Sequence, residues 1–442
     1  MGIGNLLLIL TLATGLTVLP LRARSVLGQD EPREIPSRVE RKNKAPVSNE
    51  ILRVRLPKPT ETTLANGLTV LILEDHRQPL VHAEFHLRSA GALFEPESLP
   101  GLASATAKML REGTRKRTSR QIAEDLDRLG ASVEAGASFG AVATVFTASG
   151  LAENFDRWFP LAVEILLEPS FPAAELKRLK DLTKVQLRQQ RARARFLAAE
   201  RFNRAVYGNH PAAVASATVE AIDALSPEML ANWHRERYSP QDAVLAFAGD
   251  VDPSRLLAKL QKWLAGWRAP APGRVLPPHP RPAGARRVYL VDRPDSVQTT
   301  LAVGNIAIDR RSPDYVPVLV MNQVLGGGVA GRLFLSLREE KGYTYGAYSS
   351  FTAVEYPGAW SATTDVRTEV TEGALKEILN EIRRIRDAQV GDAELADAKR
   401  AAIASFALAL EQPSRVLGFA LLRKFYNLPE DYWDHYPAMV AA

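Results

Sequence analysis

Apolar and polar positions recur along this chain with two different periods. Leu68 to Leu73 and Leu80 to Arg88 alternate, which predicts strands with one buried face. Leu102 to Leu110 and Ala174 to Ala199 carry apolar residues three and four apart, which predicts helices. Pro227 to Arg237 reads as a further helix and Ala243 to Gly249 as a further strand. Leu6 to Leu21 is almost continuously apolar, yet short for a membrane span, and polar sequence follows from Gln29. Residues 1–28 are therefore a signal peptide or, since Met1 to Asn5 carries no Lys or Arg, an uncleaved anchor. Either reading exports the body, with a bacterial periplasm as the expected compartment.

Two stretches break the periodicity. Residues 29–60, with Pro32, Pro36, Pro46, Pro57 and Pro59 among alternating charges, read as a tether. Residues 269–285 hold Pro270, Pro272, Pro277, Pro278, Pro280 and Pro282, which sustain neither a helix nor a central strand and mark a domain boundary. Two bodies remain, 61–268 and 286–442, and they align as diverged copies. Arg120, Gly130, Ser138 and Phe139 fall on Arg332, Gly342, Ser350 and Phe351; further on, Ala174-Glu175-Leu176 falls on Ala393-Glu394-Leu395. Each copy reads as strand, strand, helix, helix, strand and then long helices. The fold class is α+β: two related mixed-sheet domains with helices packed on one face. By this alignment about 26 residues of the second copy, a helix and a strand, would lie beyond Ala442, so the second domain is expected to be truncated.

With 46% hydrophobic and 24% charged residues, the 442-residue chain is neither disordered nor collagen-like. The net charge of +6 is spread out, with no basic helix or aromatic-laced stripe, which argues against nucleic-acid binding. The absence of cysteine excludes disulfides, thiolate zinc sites and a lipidated leader cysteine.

Short patterns then recur in a particular order. They are Leu64-Ala65-Asn66-Gly67-Leu68, Ala90-Gly91, Glu95-Pro96, Pro100-Gly101-Leu102-Ala103, Met109-Leu110 and Gly113-Thr114. Later come Leu325-Gly326-Gly327-Gly328, Gly331-Arg332-Leu333-Phe334 and Leu337-Arg338-Glu339-Glu340-Lys341-Gly342-Tyr343-Thr344-Tyr345. Over roughly residues 61–442 this resembles the pitrilysin/insulinase family of zinc metallopeptidases, mitochondrial processing peptidase among them. The resemblance implies a clamshell half and a His-x-x-Glu-His motif on the helix after Gly101. Such a motif puts two imidazoles and a carboxylate on one helical face to hold Zn²⁺ and take a proton from its water.

Here those positions are Ser104, Ala107 and Lys108. The later helix that would supply a Glu ligand has Gln186 there, or Val185 with a one-residue slip. None of these is a zinc ligand or a base, so no metal or other cofactor is expected on this chain. Lys108 is expected either to snorkel to water or, standing in for the lost charge, to pair with a nearby carboxylate.

The resemblance also implies a substrate-holding Arg and, seven residues on, a Tyr, which fit Arg338 and Tyr345. A guanidinium and a phenol suit a carbonyl gaining negative charge. Gly326, Gly327 and Gly328 would form a turn lining the chamber; no Lys-Ser/Thr follows, which argues against a nucleotide loop. His82, Glu84 and His86 share one side of a strand, as a polar wall or, if the strand bends, a metal site.

The expected function is that of a non-catalytic pseudo-peptidase subunit of an exported zinc metalloendopeptidase. It would complete the peptide-binding chamber for a zinc-bearing His-x-x-Glu-His partner in a heterodimer, with extended peptide as substrate. The alternative is a structural or peptide-binding protein of the same fold with no proteolytic role.

Overall fold

The computed structural model describes residues 50–282 and 284–442. The expected leader and residues 29–49 of the expected tether lie outside the described residues. The remainder of that tether does not run free. Leu52, Val54 and Leu56 pack onto an apolar cluster built from the last helices, and the Leu56 N–H donates to Asp434 Oδ1 at 2.8 Å. Lys58 pairs with Glu430 at 2.7 Å. The alternation of these three apolar residues was the signal, masked by the flanking prolines.

The first half of the chain gives strands β1 (Thr60–Thr63), β2 (Thr69–Glu74), β3 (Leu80–Leu87), β4 (Ser132–Gly136), β5 (Thr144–Leu151) and β6 (Ala243–Gly249). Its helices are α1 (Leu102–Met109), α2 (Ser119–Leu129), α3 (Phe155–Leu167), α4 (Ala173–Arg191), α5 (Ala194–Tyr207), α6 (Val219–Ala224), α7 (Pro227–Arg237) and α8 (Pro253–Trp263). The predicted single helix over 174–199 is thus two. Arg193 takes an extended conformation, and α5 turns to pack on the second sheet.

The six strands form one mixed sheet in the order β1-β2-β6-β3-β5-β4. β6 lies parallel to β2 and antiparallel to β3, so all seven of its residues are buried. Alternation along β3 sends Val81, Ala83, Phe85 and Leu87 into a core with Phe146, Phe159 and Phe247, on which the helices pack.

The second half gives β7 (Gln298–Ile306), α9 (Tyr315–Leu325), α10 (Arg332–Phe334), β8 (Thr344–Ala353), β9 (Pro357–Arg367), α11 (Thr371–Asp387), α12 (Asp392–Ala409), α13 (Pro413–Tyr426) and α14 (Tyr432–Ala441). Its sheet has the order β7-β9-β8, the same arrangement as β3-β5-β4 in the first. The aligned glycines agree in detail. Gly130 closes α2 at φ 60° and Gly342 precedes β8 at φ 62°, both in the left-handed region that glycine enters without strain. Ala174 and Ala393 are each the second residue of a long helix, α4 and α12.

Ile51–Ala442 packs as one unit. α13 lies across the other face of the first sheet, its Val416, Leu417 and Leu421 meeting Leu71, Leu73, Val244 and Ala246. Glu355, in the β8–β9 turn and only 6% exposed, accepts from Arg88 beyond β3 at 3.0 Å and from Arg274 in the Pro-rich segment. Tyr356 Oη donates to the Gly140 carbonyl at 2.8 Å. Among the described residues no helix is long and apolar enough to cross a membrane.

Candidate functional site

Gly101, at φ 103°, turns the chain into α1 through a conformation open to glycine. The Glu95 carboxylate takes the place of a cap, accepting the N–H groups of Gly101 at 2.9 Å and Ala103 at 2.6 Å. Burial pushes its pKa up to about 7, against the pull of those two donors. Ser104 and Lys108, one turn apart on α1, then face Gln186 of α4 across a cavity of about 170 Å³. Ala107 is fully buried and takes no part in the lining. Three of the four degenerate positions are therefore brought together and the fourth is not.

Every residue lining this cavity comes from positions 101 to 225. Lys180, Thr183 and Gln190 of α4 belong to it as well and were missed in the sequence, although with Gln186 they recur three or four residues apart on one face. The donor set does not fit Zn²⁺, having two ammonium groups and no imidazole or carboxylate. Among the described residues no group of three His, Cys, Asp or Glu side chains is placed to hold a metal ion. The carboxylate partner expected for Lys108 is also missing: among the described residues its ammonium makes no ion pair.

Arg338 and Tyr345 are not among the residues that line the cavity, and they touch each other. α10 runs on into a π-helical turn, Leu335–Glu340, that carries Arg338. On β8 the pairing shifts by one residue between Thr344 and Ala347, a bulge that contains Tyr345. Arg338 Nη1 donates to the Tyr345 carbonyl, while the Tyr345 side of the pair is left 87% exposed on an edge strand. Extra-residue turns and bulges re-aim side chains and concentrate at working sites.

The glycines before this element have an internal reason. A Cβ on Gly326 would lie 2.6 Å from the Ser349 nitrogen of β8, and one on Gly327 2.5 Å from Gln323 Oε1. Gly328 is open to substitution, its nearest neighbour being Gln323 Nε2 at 3.7 Å. Close approach to Ser349 of β8 accounts for Gly326, and the turn back onto Gln323 of α9 accounts for Gly327.

The histidine row of β3 is internally satisfied. His82 Nε2 lies 2.8 Å from Glu84 Oε1 and His86 Nε2 3.0 Å from Oε2. Burial raises the Glu84 pKa, but these two hydrogen bonds outweigh it and hold the carboxyl at about 2. The His86 ring packs 5.1 Å from Phe425 of α13, so the row is a polar seam beneath that helix.

Two family models match the chain. One, Insulinase (Peptidase family M16), spans residues 72–215; the other, Peptidase M16 inactive domain, spans residues 224–402. The chain belongs to the insulinase family. It is a pseudo-peptidase member, and its sequence contains no His-x-x-Glu-His. An uncharacterized zinc protease of Bacillus subtilis (strain 168) is 24% identical over 61% of this chain and 64% of its own length, so the match falls short of two thirds of that relative. One of Mycobacterium tuberculosis is 25% identical over 80% of this chain and 81% of its own. Among solved structures, a peptidase M16 inactive domain from Pseudomonas fluorescens aligns with a TM-score of 0.79 and 27% identity, covering 86% of this chain and 91% of that one. A Helicobacter pylori protease aligns with a TM-score of 0.79 at 18% identity, covering 87% and 93%, a likeness of fold.

Proposed function

We propose that this insulinase-family chain is the non-catalytic subunit of an exported zinc metallopeptidase, and that it works beside a zinc-bearing partner with His-x-x-Glu-His. One observation carries the reading. Arg338 and Tyr345 are held together by a π-helical turn and a bulge and presented to solvent, and neither lines this chain's own cavity. A guanidinium fork and a phenol presented in this way suit the carbonyl of a peptide held by another chain. Extended peptide would add to an open sheet edge; among the described residues β4 pairs only with β5, and it leads into Phe139 of the cavity wall. The leader would deliver the subunit to the periplasm.

The test is a quenched-peptide assay on this chain, on a zinc-bearing family member from the same source, and on their mixture. Activity is expected in the mixture above either component, with loss on Arg338→Ala. No gain on mixing would leave a structural or peptide-binding role as the better account.

A further inference from the structure

The cavity between α1 and α4 has the wrong chemistry for a metal and the right chemistry for an anion. Its lining holds two ammonium groups, Lys108 and Lys180, and no carboxylate. Among the described residues Lys180 Nζ donates only to the Asp223 carbonyl, at 2.9 Å. The carboxylates that touch lining or neighbouring residues are already engaged: Glu95 with the Gly101 and Ala103 N–H groups at 2.9 and 2.6 Å, Asp223 with Lys184 at 2.8 Å, and Glu200 with Arg191 at 3.1 Å. Around the two charges stand the neutral donors of Ser104, Thr183, Gln186 and Gln190. Leu176, Leu179, Ile222 and Leu225 supply apolar wall. At about 170 Å³ the cavity falls below the roughly 300–1,000 Å³ of sites for drug-sized molecules and suits one side chain with its carboxylate.

We infer that this cavity binds a carboxylate carrying one small apolar group, the form presented by the C-terminal residue of a peptide. The inference rests on the peptide-binding part of the proposed function for the kind of ligand, and on the lining alone for the charge. A carboxylate placed between Lys108 and Lys180 accepts charge-assisted hydrogen bonds from both, while its side chain displaces water from the leucine wall. Neither ammonium carries a lone pair, so the site holds a peptide end without attacking it.

The experiment measures binding of three labelled hexapeptides to the purified chain: one ending in leucine with a free carboxylate, the same peptide as its amide, and an amide with an internal glutamate. The free acid should bind about tenfold more tightly than its amide, and the preference should shrink with added salt. Lys108→Met and Lys180→Met should each erase most of that preference, Lys108→Arg should keep it, and thermal melting should show all three folded. Equal binding of acid and amide would overturn the inference and leave the peptide-binding reading in place. Binding of the glutamate peptide as tight as that of the free acid would overturn the C-terminal assignment. A free-acid preference alongside silence in the mixing assay would uphold the inference while the partner reading fails.

Discussion

Replacing Glu84 by glutamine should destabilise the fold by an amount that depends on pH. Burial raises this carboxyl's pKa, but the donors His82 and His86 overcome that and depress it from 4.5 to about 2. A depressed pKa means stability present above the unfolded value of about 4.5 and lost as pH falls toward 2. At about 1.4 kcal/mol per unit, the depression corresponds to about 3 kcal/mol, and the 22% exposure of the side chain trims this to about 2–3 kcal/mol. Chemical denaturation of wild type and Glu84→Gln at pH 7, 5, 4 and 3.5 reads the difference. The gap should be widest at pH 7 and narrow by about 1.4 kcal/mol at pH 3.5, where part of the wild-type carboxyl's advantage has gone. A gap that stays constant with pH, or no gap at pH 7, would refute the argument that the seam under α13 is held by an ionised Glu84.

Other perturbations test the joints of the structure. Glu355→Gln leaves Arg88 and Arg274 facing each other without a counter-charge in a buried site, and should cost about 3–5 kcal/mol, read as a large drop in melting temperature. An unchanged melting temperature would show that the triad does not join the two sheets. Gly91→Ala should give insoluble or unfolded protein, because a Cβ there would lie 2.2 Å from the Ala141 carbonyl and 2.4 Å from the Ala143 nitrogen, both backbone atoms. Soluble, folded Gly91→Ala protein would refute that packing argument.

Particular residues show which parts of this molecule could be read from its sequence. The alternation from Leu80 and the apolar run from Ala243 gave β3 and β6 their positions, because burial on one or both faces leaves a direct mark on residue type. The break at Ala192-Arg193 left no such mark. No proline or glycine sits there, and the division into α4 and α5 comes from packing of α5 on β7, a contact remote in sequence. The spacing of Ser104 and Lys108 put both on one face of α1, since faces of helices follow from counting residues, whereas their meeting with Gln186 on α4 was implied only by the family resemblance. The contact of Arg338 with the Tyr345 carbonyl could not be counted out, because a π-helical turn and a bulge both shift the register between them.

The electrical character of the α1–α4 cavity links the lost motif to the proposed role. A zinc centre is a concentrated positive charge framed by imidazole and carboxylate, and it does two things to a peptide: it draws a carbonyl or carboxylate oxygen and it activates a water. Lys108 and Lys180 preserve the first property, since an ammonium attracts the same oxygen atoms. They cannot supply the second, because an ammonium carries no lone pair and Ala107 leaves no base beside it. Holding a peptide is thus separable from cutting it by substitutions on a single helical face. The partner reading needs this separation: a subunit that grips substrate and presents Arg338 and Tyr345 outward gains nothing from a second hydrolytic centre of its own. If Lys108→Met and Arg338→Ala impaired the mixed assay independently, with multiplicative losses, grip and polarisation would be two functions of one chain; a double variant no worse than either single one would put both residues in one step.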